Sequence, residues 1–201
     1  MLWNTDLFLL LNAPARPGAA MLLFAEALAA APVLLPPILL ASLWVWGRQE
    51  CRPALLAVAA AVFVGQALNL LLGMTWYEPR PFMAGVGHTW LVHVADNGFP
   101  SDHATLAWSL GLGLVLTGAT WRWGAAACLV GIAAGWARVY LGVHYPVDVL
   151  ASAPIGLVAG TAARLAVPAA RAWLAPPVEQ LYEAVIERLP IRLLLPRRTR
   201  P

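Results

Sequence analysis

Long apolar stretches broken by short polar ones run through almost the whole chain, and their lengths predict membrane-spanning helices. Residues 19–46 are apolar with Glu26 the one charge, and Pro32, Pro36 and Pro37 are placed to kink a helix there. Residues 54–76 and 104–120 carry no charge. Residues 123–137 form a shorter apolar run that ends at Arg138, and residues 147–167 form the last. A span needs about 20 mostly apolar residues, so five spanning helices are expected. Residues 7–11 are too short to cross and predict an interfacial or re-entrant helix. The region 178–189 has a different period. Val178, Leu181, Tyr182, Val185, Ile186 and Leu189 recur at helical spacing, with Glu179, Glu183, Glu187 and Arg188 opposite. Such an amphipathic helix fits the inner membrane surface or a packed terminal position equally well. The expected fold is an all-α, polytopic membrane helical bundle of about five to six helices. Residues 1–170 would form the membrane-embedded domain, and residues 171–201 an amphipathic helix and basic tail.

Composition agrees. The 201 residues are 61% hydrophobic and 11% charged, where a soluble domain carries about 25% charged residues. The net charge of +3 comes from arginine alone, since there is no lysine, and Arg188, Arg192, Arg197, Arg198 and Arg200 crowd the C-terminus. That suits a cytoplasmic, membrane-facing tail better than a nucleic-acid site. Cys51 and Cys128 lack metal or disulfide spacing. The N-terminus has no charged leader region and no clear cleavage site, so a removed signal peptide is not expected. The connection 47–53 with Arg48 and Arg52, the turn at Arg122 and the basic C-terminus fall on one side of the bundle. The positive-inside rule makes that side cytoplasmic. The loop 77–102 and the connection 140–146 then face the other side.

Three polar segments sit on that second side: Arg80-Pro81, then Pro100-Ser101-Asp102-His103, then Arg138, His144 and Asp148. Ser101 precedes an apolar helix and is a good N-cap, and that helix's first turn offers free N–H groups and a positive dipole end to a phosphate. His103 lies in the same turn, where a protonated imidazole can act as general acid. His144 and Asp148 are four apart, with Pro146 suited to a first turn. Asp148 can hold one imidazole nitrogen and leave the other as a nucleophile. Arg80, stiffened by Pro79 and Pro81, and Arg138 can clamp phosphate oxygens with their planar forks. His103, His144 and Asp148 could also ligate zinc by ligand type, but two neighbouring arginines favour an anion.

Together the three segments resemble the signature motifs of the type 2 phosphatidic acid phosphatase superfamily. The text from Asn69 to Thr105 is similar to the bacitracin-resistance type of undecaprenyl diphosphatase. It includes Pro79-Arg80-Pro81-Phe82, Gly87-His88-Thr89, and His93 through Asp96-Asn97 to His103. The resemblance covers about residues 5–168. It implies that His144 forms a phosphohistidine, Asp148 orients it and His103 protonates the leaving group. It further implies that Arg80, Ser101, Arg138 and N–H groups near Gly98 hold the phosphoryl oxygens, with no metal or other cofactor. The implied substrate is a polyprenyl diphosphate in the membrane, cleaved at the outer face, with no nucleic-acid or obligate protein partner. Two positions depart from the superfamily pattern: Gly73 stands where a lysine is usual, and Ala137 where a serine is. Either His88 or His93 could replace the missing cation, and both could instead be surface histidines. Glu26 is ionisable inside an apolar segment, a costly placement, and is expected to face the mouth of the site. Asp102 could do more than flank its motif. Three other readings stay open: a phosphatase for phosphatidate or phosphatidylglycerol phosphate, a phosphotransferase to lipid A, and a transporter using Glu26, Arg80 and Arg138 as pathway charges.

Overall fold

A computed structural model describes residues 2–188, and the arginines from Arg192 onward lie outside them. The chain order is α1 (Leu2–Leu11), α2 (Ala19–Trp46), a 3-10 turn (Gln49–Cys51), α3 (Arg52–Thr75), α4 (Asp102–Leu116), α5 (Trp121–Tyr140), α6 (Pro146–Leu150), α7 (Ser152–Ala169), a π-turn (Ala170–Leu174) and α8 (Ala175–Arg188). No strand occurs among the described residues.

Five long helices appear where five spans are expected, but they are not alike. The runs Ala19–Trp46, Gln49–Thr75 and Pro146–Arg188 are long and apolar enough to cross a membrane, whereas α4 and α5 are shorter or more polar. The reason is position. α4 packs against α2, α3, α5 and α7, and it buries Ala104, Thr105, Ala107, Ser109, Leu110, Gly111, Gly113 and Leu114. A helix enclosed by other helices needs small residues for close approach rather than a lipophilic surface. The outer helices show the reverse pattern, with Phe24, Leu34, Ile38, Phe63, Leu70, Leu71 and Leu165 exposed. Large apolar side chains facing outward belong to a protein whose solvent is lipid.

The main core joins Leu39, Val58, Val62, Leu110 and Leu114, from α2, α3 and α4, to Ala127, Ala159 and Ala163. A second cluster sets Ala25 and Ala29 of α2 against Ala137 and Leu141 at the far end of α5. α1 lies beside α5 and α6: Phe8 packs edge-on to Tyr145 at 5.3 Å, and Asn4 Oδ1 accepts the Val147 N–H at 3.1 Å. The helix does not break at residue 170. It runs through the π-turn into α8, so the expected boundary between membrane domain and tail falls within one continuous helix. At that end the Arg52 guanidinium lies 4.8 Å from the Trp44 ring and 5.3 Å from the Tyr182 ring, and 3.8 Å from Glu179. These contacts tie α8 to α2 and α3.

Candidate active site

The polar segments meet at the end of the bundle where α3 and α5 finish and α4 and α7 begin. The connection from α5 to α6 places His144 with no exposed surface. Asp148 is the third residue of α6, and its Oδ2 accepts the Tyr145 N–H at 2.8 Å, which caps that short helix. The same oxygen lies 3.4 Å from His144 Nδ1, close but not aligned as a hydrogen bond. The tautomer is decided from the other side of the ring. Arg80 Nη1 lies 3.1 Å from His144 Nε2, and an arginine can only donate. Nε2 therefore carries the lone pair, and the imidazole proton sits on Nδ1 facing Asp148. Burial first, then the charges of Arg138 and Arg80, hold the His144 pKa well below the ordinary imidazole value.

The two arginines are employed differently. Arg80 donates from Nε to Asp96 Oδ1 at 2.8 Å, from Nη1 to the Val143 carbonyl at 3.0 Å and from Nη2 to the Asn97 carbonyl at 3.1 Å. Its side chain is thus largely committed to the loop and to His144. Arg138 is also buried, yet its Nε has no hydrogen-bond partner among the described residues, and its Nη2 meets His93 Nε2 at 3.0 Å. Ser101 stands at the N-cap position of α4, but its hydroxyl makes no cap bond and is buried without a partner among the described residues. Its N–H is donated to the Asp148 carbonyl at 3.0 Å. Buried donors with nothing to bind are uncommon, and the site has two, the Ser101 hydroxyl and Arg138 Nε.

The loop between α3 and α4 is fastened by Asn97. Its Oδ1 accepts the N–H groups of Glu78 and Phe99 at 2.9 and 3.1 Å, and its Nδ2 donates to the carbonyls of Gly73 and Trp76 at 2.7 and 2.8 Å. A Cβ on Gly73 would come 3.3 Å from that Nδ2 and 3.2 Å from the Phe99 carbonyl oxygen. A side chain there would press on the loop by a few tenths of an ångström. Gly98 donates its own N–H to the Glu78 carbonyl at 2.9 Å. What this position requires is the lack of a side chain, since a Cβ would lie 3.3 Å from Arg80 Cγ and 3.4 Å from Asp148 Oδ2.

Arg80, His93, Gly98, Ser101, Asp102, His103, Arg138, His144 and Asp148 converge on this end. Asp102 does more than flank its motif: its Oδ1 lies 2.8 Å from His103 Nδ1, which leaves His103 Nε2 free, and its charge is close enough to favour protonation of His144. His93 lies with its ring centre 6.4 Å from that of His144. His88 is elsewhere, with its side chain exposed and its backbone bonded to Asn12. Glu26 is half-buried on α2 beside Ala25, at the level of the second core cluster, and is not among the hydrogen-bonded residues of the site. Sequence reasoning missed Asn97 and Asp96 as holders of the loop and of Arg80. It also missed Ser152, whose hydroxyl donates to the Ser101 carbonyl at 2.9 Å. No local pattern marks them, because each acts across the fold. Among the described residues no group of three or more His, Cys, Asp or Glu could hold a metal ion.

This combination of helical bundle and histidine-arginine site has a family. The PAP2 superfamily model matches residues 54–172, more than half the chain, and the protein belongs to that superfamily. Its relatives narrow the class to membrane phosphatases. It is 31% identical over 162 residues to the putative undecaprenyl-diphosphatase YbjG of Escherichia coli (strain K12), covering 81% of each chain. It is 32% identical over 123 residues to undecaprenyl-diphosphatase BcrC of Bacillus subtilis (strain 168), covering 61% of this chain and 63% of that one. The crystal structure of Aquifex aeolicus LpxE is similar with a TM-score of 0.64 and 27% identity, over 80% of this chain and 94% of that one.

Proposed function

We propose that the protein hydrolyses undecaprenyl diphosphate to undecaprenyl phosphate and phosphate at the periplasmic face of the inner membrane, regenerating a lipid carrier for cell-wall synthesis. The observation that carries this reading is the buried His144 with its Nε2 lone pair turned to a guanidinium, beside the unpartnered donors of Ser101 and Arg138. The names of the relatives supply the lipid.

In this mechanism His144 Nε2 attacks the terminal phosphorus. The P–N bond forms as the anhydride P–O bond breaks, and the electron pair leaves on the lipid monophosphate oxygen. His103 protonates that oxygen from Nε2, while its Nδ1–H stays on Asp102. Arg138, Ser101 and the remaining N–H of Arg80 hold the equatorial oxygens as charge spreads over them. The Asp148 carboxylate beside Nδ1–H stabilises the cationic phosphohistidine. Water then attacks the same phosphorus as His103 takes its proton; the new P–O bond forms while the P–N bond breaks, its electron pair returns to His144 Nε2, and phosphate leaves. The isoprenoid lies among the outward apolar side chains of the helices.

The likeness to LpxE favours a second reading, in which the same machinery hydrolyses another lipid phosphate. Phosphate release from undecaprenyl diphosphate, phosphatidate and phosphatidylglycerol phosphate, with EDTA present, separates the readings. The expected result is preference for the diphosphate and loss of turnover in His144→Ala. Turnover confined to another lipid would replace the substrate, and turnover surviving in His144→Ala would remove the nucleophile.

A further inference from the structure

His93 is not needed in that reaction, yet the fold places it inside the site. It comes from the loop between α3 and α4, and its two ring nitrogens are both engaged. Nδ1 lies 3.1 Å from the Val94 carbonyl, so this nitrogen carries the proton. Nε2 lies 3.0 Å from Arg138 Nη2, so this one presents a lone pair to a guanidinium. The ring edge also points across to His144.

A phosphate oxygen bound by Arg138 lies within reach of His93 Nε2. Two lone pairs would then face each other, a repulsive contact that either a ring movement or a proton removes. The Val94 bond resists the movement, and the Asp96 carboxylate 3.9 Å from Nδ1 favours the cation. We propose that His93 is a phosphate-binding residue that takes up one proton as the phosphate arrives, so that Nε2–H and Arg138 Nη2 share one phosphoryl oxygen. The proton comes from water or from the phosphate monoanion, and no bond to phosphorus changes. The role rests on the lipid-diphosphate phosphatase reading and adds a third cation to a site that has glycine in place of lysine at residue 73.

The electrostatics have a sign that a ligand would reverse. Burial first, and then the charges of Arg80 and Arg138, lower the His93 pKa in the free site. The facing groups are Arg80 and Asp96 from its own loop, Arg138 from α5, His144 from the connection to α6, and Asp102 and His103 from the start of α4. A phosphate dianion among them offsets the arginine charges and leaves the Val94 carbonyl bond and Asp96 favouring the cation, which raises the His93 pKa.

The chain has four histidines, so ring carbon signals of histidine-labelled full-length protein in detergent are resolvable by single His→Gln variants. Inorganic phosphate is the probe, with turnover measured in parallel at about pH 7. The expected result is that saturating phosphate moves the His93 signal, the one missing in His93→Gln, to the imidazolium position. In the same assay His93→Ala raises KM and the inhibition constant for phosphate by about ten- to a hundredfold, the range of a lost hydrogen bond to a charged group, with a smaller change in kcat. Full inhibition with His93 still neutral overturns the proposal and leaves the phosphatase intact. Unchanged phosphate affinity in His93→Ala does the same. Absence of both turnover and phosphate binding in the wild type overturns both readings. Where His93→Ala fails to fold, the wild-type spectrum alone decides.

Discussion

His144 is fully buried between two guanidinium groups, and that placement fixes how the protein responds to acid. Its folded pKa lies well below the ordinary value, because burial first and then Arg138 and Arg80 disfavour the imidazolium. In the unfolded chain the same ring protonates near 6.5. Below about pH 6.5 the unfolded state therefore binds more protons than the folded one, and stability falls with falling pH. Above that value this group adds no pH dependence. The melting temperature in detergent should be flat from about pH 8 to 7 and should decline below 6.5, with a shallower decline in His144→Gln. The acid limb of kcat/KM for wild type should lie below 6.5 for the same reason. A decline no shallower in His144→Gln than in wild type would contradict the placement. A second residue-scale effect concerns Gly142, beneath the loop at His88. It has φ +83°, and a Cβ there would meet the His88 carbonyl oxygen well inside contact distance. Gly118, in the turn at the opposite end, has φ +72° with open space around it. Alanine at either site costs about 1–2 kcal/mol of backbone strain, but only at Gly142 must the loop bearing Arg80 and His93 also move. We expect Gly142→Ala to lose activity at least tenfold and Gly118→Ala to keep it. Equal losses would mean that strain alone matters.

At the scale of elements, the site depends on how closely α7 approaches α4. Gly156 and Gly160 of α7 lie against the α4 backbone: a Cβ at Gly156 would come 2.7 Å from the Trp108 carbonyl carbon, and one at Gly160 would come 2.9 Å from that of Leu112. Ser152, one turn before Gly156, bonds Ser101 across the same contact. Gly156→Ala should therefore push α7 off the α4 backbone and disturb Ser101. A fall in kcat of about tenfold at unchanged helix content is expected, in keeping with the sensitivity of catalysis to small misplacements. Unchanged kcat would show that Ser101 is not positioned through this contact. These elements also show what the chain made legible. The outer helices announce themselves because lipid demands apolar side chains along their whole length. The three polar motifs do too, because each is local and sits at a helix end. α4 and α5 are less plain, since an enclosed helix is specified by glycine, alanine and serine, which read as weakly apolar. His88 and His93 lie five residues apart in one loop, and only the path of that loop puts one outside and the other against Arg138. Arg80 reads as a phosphate clamp from its motif. Its commitment to Asp96, Val143 and Asn97 depends on contacts that no spacing reveals.

For the whole molecule, we propose an orientation from length and charge. The helix Pro146–Arg188 has 43 residues, about 65 Å at 1.5 Å per residue, and so is about twice the thickness of bilayer hydrocarbon. Its surplus length lies at the end away from the site, where α8 packs against α2 and α3. Arg48, Arg52, Arg122, Arg164, Arg171 and Arg188 lie toward that end. Arg164 donates to the last carbonyl of α4, that of Leu116, at 2.8 Å. The site end has Arg16, Arg80 and Arg138, and the last two are enclosed in the site. The asymmetry in arginine favours a cytoplasmic α8 and a periplasmic site. Cysteine accessibility tests this directly in a background with Cys51 and Cys128 replaced. His88→Cys, on the exposed loop at the site end, should react with a membrane-impermeant maleimide in intact cells. Glu187→Cys, exposed on α8, should react only after the membrane is opened. The reverse pattern would leave the chemistry of His144 untouched but would put phosphate release in the cytoplasm. A carrier recycled at the outer face would then be impossible, and the lipid would have to cross the membrane before it reached the enzyme.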